Sequence, residues 1–121
     1  MTNLKTKWVD KLPNNYTAAT SIKEGVIYLS RSALAGVPQN VVKVIVNHEK
    51  AHNVLQTDNE LLCDSWAFYK SMSEGVSLMD TIKALTRILD FDNQKASSFY
   101  QLRYTKQLER AKHYKSNLQN K

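Results

Sequence analysis

The chain of 121 residues carries one cysteine, two prolines and three glycines. A lone Cys63 cannot close an internal disulfide, so nothing points to an oxidising compartment. So little proline and glycine leaves few places for linkers, and most of the chain should be regular structure. No apolar run approaches the roughly 18 residues of a membrane span. Met1 to Asp10 also lacks an apolar stretch of signal-peptide length. The expectation is a cytoplasmic protein with no membrane partner. The length leaves little room for a second domain, so residues 1–121 read as one. With 42% apolar and 9% aromatic residues, the chain has the apolar surface that disordered sequences lack.

Acidic residues are scarce at one end only. The formal charge is +6, from 17 Lys and Arg against 11 Asp and Glu. Residues 1–94 hold ten bases and ten acids, whereas the last 27 residues hold seven bases and Glu109 alone. The whole excess therefore belongs to Lys95, Arg103, Lys106, Arg110, Lys112, Lys115 and Lys121. A basic helix over 93–121 can contact an acidic partner or nucleic acid. Its bland counterpart is a solvated face, with Phe99, Leu102, Tyr104 and Leu108 docking the helix on the domain.

The pattern predicts a helix-rich α+β fold with a small N-terminal sheet. Tyr16 to Ser21 and Val26 to Ser30 flank a Lys23-Glu24-Gly25 turn and read as a hairpin. Pro38 suits a helix start, and apolar residues from Val41 to Leu55 trace one helical face. The polar break Gln56 to Asn59 follows, with Asp58 or Asn59 able to cap the next helix. That helix runs to Gly75. Ser77 with Asp80 resembles a capping box for a third helix through Leu89. Asp92 or Asn93 is the expected cap of the basic fourth helix, through about Asn117.

Within the first long helix lies His48-Glu49-Lys50-Ala51-His52. Residues at i and i+4 share a helical face, so both imidazoles can converge on one ion. Zn²⁺ takes imidazole nitrogen and carboxylate oxygen, and keeps a site for water in catalytic centres. Glu49 beside the first ligand can then accept a proton from that water as general base. Chance would put such a string in this chain with a probability of roughly 0.3%, so its setting decides. The setting is favourable. VVKVIV leads in on the buried side, Ala51 is small, and Glu60 and Asp64 open the next helix at i and i+4. If the two helices fold back about Gln56, His52 faces Glu60 and His48 faces Asp64. One carboxylate can complete the metal shell while the other orients a ligand histidine through its free ring nitrogen. Cys63 reads as a small buried hydrophobe. Trp66, Phe68 and Tyr69 read as core or groove wall.

His48-Glu49-x-x-His52 followed by Glu60-x-x-x-Asp64 resembles the gluzincin clan of zinc metallopeptidases. Asp64-Ser-Trp-Ala67-Phe68 is similar to the acid-x-x-Ala segment of small relatives in that clan. The resemblance spans Val26 to Met72. It implies a minimal zincin-like fold, with Glu60 as third zinc ligand and Asp64 as partner of a ligand histidine. It also implies that Val26 to Ser30 is an edge strand that holds substrate by backbone pairing. Only seven residues separate His52 from Glu60, fewer than most gluzincins have, and this keeps Asp64 in play as the ligand. No motif marks the group that stabilises the oxyanion; Tyr28, Tyr69, Tyr100, Tyr104 and His113 are candidates.

These readings converge on a zinc metallopeptidase acting on a protein or peptide, with Glu49 catalytic and His48, His52, Glu60 and Asp64 around the metal. The alternative is an inactive zincin-like binding module, such as an accessory protein of a phage or mobile element. Its basic C-terminal helix would engage the partner.

Overall fold

The structure is a computed structural model and describes residues 4–93 and 96–119, the last four by backbone alone. Among the described residues it has an α+β architecture. Its strands are β1 (Lys5–Val9), β2 (Ala18–Ser21) and β3 (Val26–Ser30). Its α-helices are α1 (Arg31–Leu34), α2 (Gln39–Val54), α3 (Glu60–Ser73), α4 (Leu78–Asp92) and α5 (Ser98–Gln119).

The expected hairpin forms. Ala18 to Ser21 pair antiparallel with Leu29 to Val26. Gly25 closes the turn at φ +68, in the left-handed region that glycine enters without steric cost. The sheet has a third member that the sequence pattern did not reveal. β1 pairs parallel with β3, from Lys5 opposite Val26 to Val9 opposite Ser30, giving the order β1-β3-β2. β3 is therefore the central strand, not the edge. Its VIYLS run follows from that place, since four of its five residues are buried. Among the described residues, the free edge beside the helices belongs to β2.

The helices cover the sheet through an apolar core. Ile27 and Leu29 from β3, Val44 and Ile45 from α2, Phe68 from α3 and Leu85 from α4 are all at most 2% exposed. Each such side chain contributes about 1.5–3 kcal/mol by leaving water. Asn47 is one of the buried polar residues of α2. Its Nδ2 donates to Ser71 Oγ at 3.0 Å and to Glu74 Oε1 at 2.9 Å. This ties the middle of α2 to the end of α3 and fixes how the two helices lie along each other. Ala51, buried without remainder, lets them approach.

The helix ends mostly follow the capping signals. Asn59 caps α3, and Ser77 Oγ accepts from Asp80 N at 3.1 Å to cap α4. Gly75, at φ +88, ends α3. The start of the basic helix differs from expectation. α4 continues through Asp92, and α5 begins at Ser98, where Ser97 Oγ accepts from Tyr100 N at 3.0 Å. Asp92 and Asn93 thus close α4 instead of opening α5.

The docking face of α5 also differs. Tyr100, Arg103, Gln107 and Ala111 are its buried stripe, whereas Phe99, Leu102, Tyr104 and Leu108 are between 38% and 51% exposed. Arg103 and Arg110 point inward, the latter with its guanidinium 5.8 Å from the Phe68 ring centroid. Among the described residues, exposed positive charge on α5 comes from Lys106, Lys112 and Lys115, with Glu109 also exposed and 3.5 Å from Lys106. Lys95 and Lys121, counted in the basic tail, lie outside the described residues. No described helix is long and apolar enough to cross a membrane.

Candidate metal centre

A tight reversal between α2 and α3 builds the site. Gln56 takes a left-handed conformation at φ +50 just past the end of α2. Gln56 N then donates to Asn53 O at 3.3 Å and Thr57 N to His52 O at 3.1 Å. Glycine usually fills that left-handed place; here the Gln56 side chain braces it, with Nε2 donating to Asn53 O at 2.6 Å. Three residues after Gln56, Asn59 Oδ1 accepts from Leu61 N and Leu62 N at 3.0 and 3.3 Å and starts α3. So short a turn explains how seven residues between His52 and Glu60 suffice.

The reversal brings the acids onto the histidines in the expected register. His52 Nε2 lies 3.0 Å from Glu60 Oε1. His48 Nε2 lies 3.1 Å from Glu60 Oε2 and 3.1 Å from Asp64 Oδ1. Ligand atoms of His48, His52 and Glu60 all fall within 4.8 Å of one another. Glu60 thus bridges the two imidazoles, and Asp64 stands beside it.

Asp64 does not reach His48 through the other ring nitrogen, as the sequence suggested. It approaches the same Nε2 as Glu60, while His48 Nδ1 lies 3.9 Å from Glu49 Oε1. Both Asp64 oxygens are bound by Arg103, at 2.7 and 2.8 Å. Glu60 is consequently the carboxylate that faces both histidines.

The donor set suits a metal ion. Among the described residues, neither buried ring nitrogen of His48 has an aligned hydrogen-bond partner. A buried nitrogen left so beside carboxylate oxygens is the environment a cation completes. His52 is already set for the task. Its Nδ1 donates to Thr57 O at 2.8 Å, which directs a ligand bond to Nε2 once that nitrogen gives up its proton. Two imidazoles and one carboxylate could hold a metal ion, and imidazole accepts several transition metals.

Electrostatics agree with the geometry. Burial works against charge on His48, but the approach of Asp64, Glu49 and Glu60 holds it well above its ordinary value. The Cys63 sulfur, 3.4 Å from Nδ1, and Glu60 push His52 up to about 11. Burial opposes ionisation of Glu60, yet His48 and His52 hold its carboxyl far below the usual carboxylate range. Against burial, Arg103 and then His48 hold Asp64 low. Asp92 is pushed up to about 6, by burial first and by Glu60 second.

A cleft of about 420 Å³ opens onto His48, Glu49, His52 and Glu60, with Ala18, Ala19 and Thr20 of β2 along one wall. Thr20 Oγ1 donates to Glu49 O at 3.2 Å and pins the strand to the helix at that residue. Tyr16 and Phe99 also line the cleft, whereas none of Tyr28, Tyr69, Tyr100, Tyr104 and His113 does.

Sequence reasoning missed Arg103 and Tyr16. The Tyr100, Arg103, Gln107, Ala111 spacing was the available signal for Arg103, but a stripe containing an arginine and a glutamine reads as surface. Comparison of the chain with protein-family models, with curated proteins and with solved structures finds no match.

Proposed function

We propose that this chain is a zinc-dependent metallopeptidase. The observation that carries the reading is the convergence of His48, His52 and Glu60, with Glu49 beside them on the wall of an open cleft. His48, His52 and Glu60 would hold the zinc, which would supply polarisation of a peptide carbonyl and a water of lowered pKa. Glu49 takes the proton from the attacking water and returns it to the leaving amine. His52 is kept in its ligating tautomer by Thr57. The edge of β2 away from β3, unpaired among the described residues, offers backbone groups to an extended peptide running along the cleft.

The test separates binding from turnover. Glu49→Gln should keep zinc and lose hydrolysis of a quenched fluorescent peptide library, and His48→Ala should lose both. Unchanged hydrolysis in zinc-loaded Glu49→Gln would overturn the assigned mechanism.

The binding-module reading rests on the basic helix. It is left with Lys106, Lys112 and Lys115 as the exposed described bases of α5, since Arg103 and Arg110 turn inward. Nothing in the geometry favours it over the peptidase.

A further inference from the structure

Two carboxylates stand equally close to one ligand nitrogen: Glu60 Oε2 and Asp64 Oδ1 are each 3.1 Å from His48 Nε2. They differ in what holds them. Arg103, its side chain fully buried, donates from Nε to Asp64 Oδ2 at 2.7 Å and from Nη2 to Asp64 Oδ1 at 2.8 Å. This is the planar fork that grips both oxygens of a carboxylate at once. Nη1 is anchored on Asn93 Oδ1 at 2.8 Å and lies 3.4 Å from Asp92 Oδ2, so the guanidinium is held from behind by the end of α4. Its contact with Glu60 is looser, Nη2 to Oε2 at 3.4 Å.

We infer that Arg103 is a positioning residue that keeps Asp64 out of the cation's coordination shell. Glu60 is thereby the sole carboxylate ligand, and a fourth position stays open for water or substrate. The inference rests on the metal-centre reading above. Its physical basis is charge compensation. Asp64 is only 4% exposed, and a buried carboxylate stripped of its cation must find another. A divalent ion next to His48 would be the strongest positive charge in reach. Four protein ligands around zinc make a closed, structural site, and three leave an open one. A residue of the C-terminal helix thus decides which kind of site α2 and α3 form.

The test uses the full chain loaded with cobalt(II), whose visible absorption reports coordination, with azide as the probe of an open position. Wild type should shift its spectrum on azide addition. Arg103→Met should still bind cobalt, with azide affinity lowered about tenfold or more. Arg103→Met combined with Asp64→Asn should regain the azide response. Arg103→Lys keeps a buried cation but grips one oxygen at a time, so it should fall between, and it serves if circular dichroism shows the Met variant unfolded. Azide affinity equal to wild type in the Met or Lys variant overturns the inference alone. So does failure of Asp64→Asn to restore the response. A wild-type chain that binds no cobalt overturns the metal centre and the inference with it.

Discussion

His52 and Thr57 bond to each other twice. The imidazole Nδ1 donates to the Thr57 carbonyl at 2.8 Å, and the Thr57 amide donates to the His52 carbonyl at 3.1 Å. A carbonyl can only accept, so Nδ1 carries the hydrogen and a ligand bond is directed to Nε2 once that nitrogen gives up its proton. The turn that ends α2 is therefore also the device that sets the tautomer of a proposed metal ligand.

That coupling makes Gln56 a test residue outside the proposed ligand set. A β-branched side chain suffers most at its left-handed φ of +50. Gln56→Val should cost about 1–2 kcal/mol of stability and weaken zinc binding as the Thr57 carbonyl shifts. Gln56→Gly should keep both. Urea unfolding and chelator competition on the two variants measure the two effects.

Proton release should accompany metal binding. His52 carries a proton on both ring nitrogens in the metal-free protein at pH 7, because Cys63 and Glu60 raise its value to about 11. Loading at that pH should displace about one proton per ion from His52, read by calorimetry in buffers of different ionisation enthalpy. The stability that charged His52 contributes is fully present below its unfolded value of 6.5 and is lost as pH climbs toward 11. Metal-free protein should therefore be weaker at pH 9.5 than at pH 7, while zinc affinity rises over the same interval.

Tyr16 presents a phenol on the cleft wall, and among the described residues no hydrogen bond occupies its hydroxyl. Tyr16→Phe should lower kcat about 10- to 100-fold with zinc content unchanged, if that hydroxyl meets the developing oxyanion. A change in KM alone would assign it to substrate binding instead.

Asn47 links α2 to Ser71 and Glu74. Asn47→Ala leaves the Ser71 hydroxyl buried without that donor and should cost about 1–3 kcal/mol. Thermal unfolding of the metal-free chain measures this without interference from the cation.

The helix reversal was legible in the sequence because its signals are local: two histidines at i and i+4, a polar break, and acids at matching spacing. β1 was not. Lys5, Thr6, Lys7 and Trp8 are all exposed, so the strand has no alternation to read and is held by backbone pairing to a strand distant in sequence. That unseen partner is also why β3 looked like an edge. The role of α5 was hidden for a different reason. Its docking face uses Arg103 and Gln107, and a charge count treats such residues as surface. The net charge of +6 therefore concealed an arginine whose charge is spent inside, on Asp64.

Zinc content of the purified full chain, measured by elemental analysis for wild type, His48→Ala, His52→Ala and Glu60→Gln, tests the central claim most directly. The account predicts about one zinc per wild-type chain and its loss from each variant, with circular dichroism showing the variants folded. Wild type without stoichiometric metal, or variants that retain it, would contradict the account.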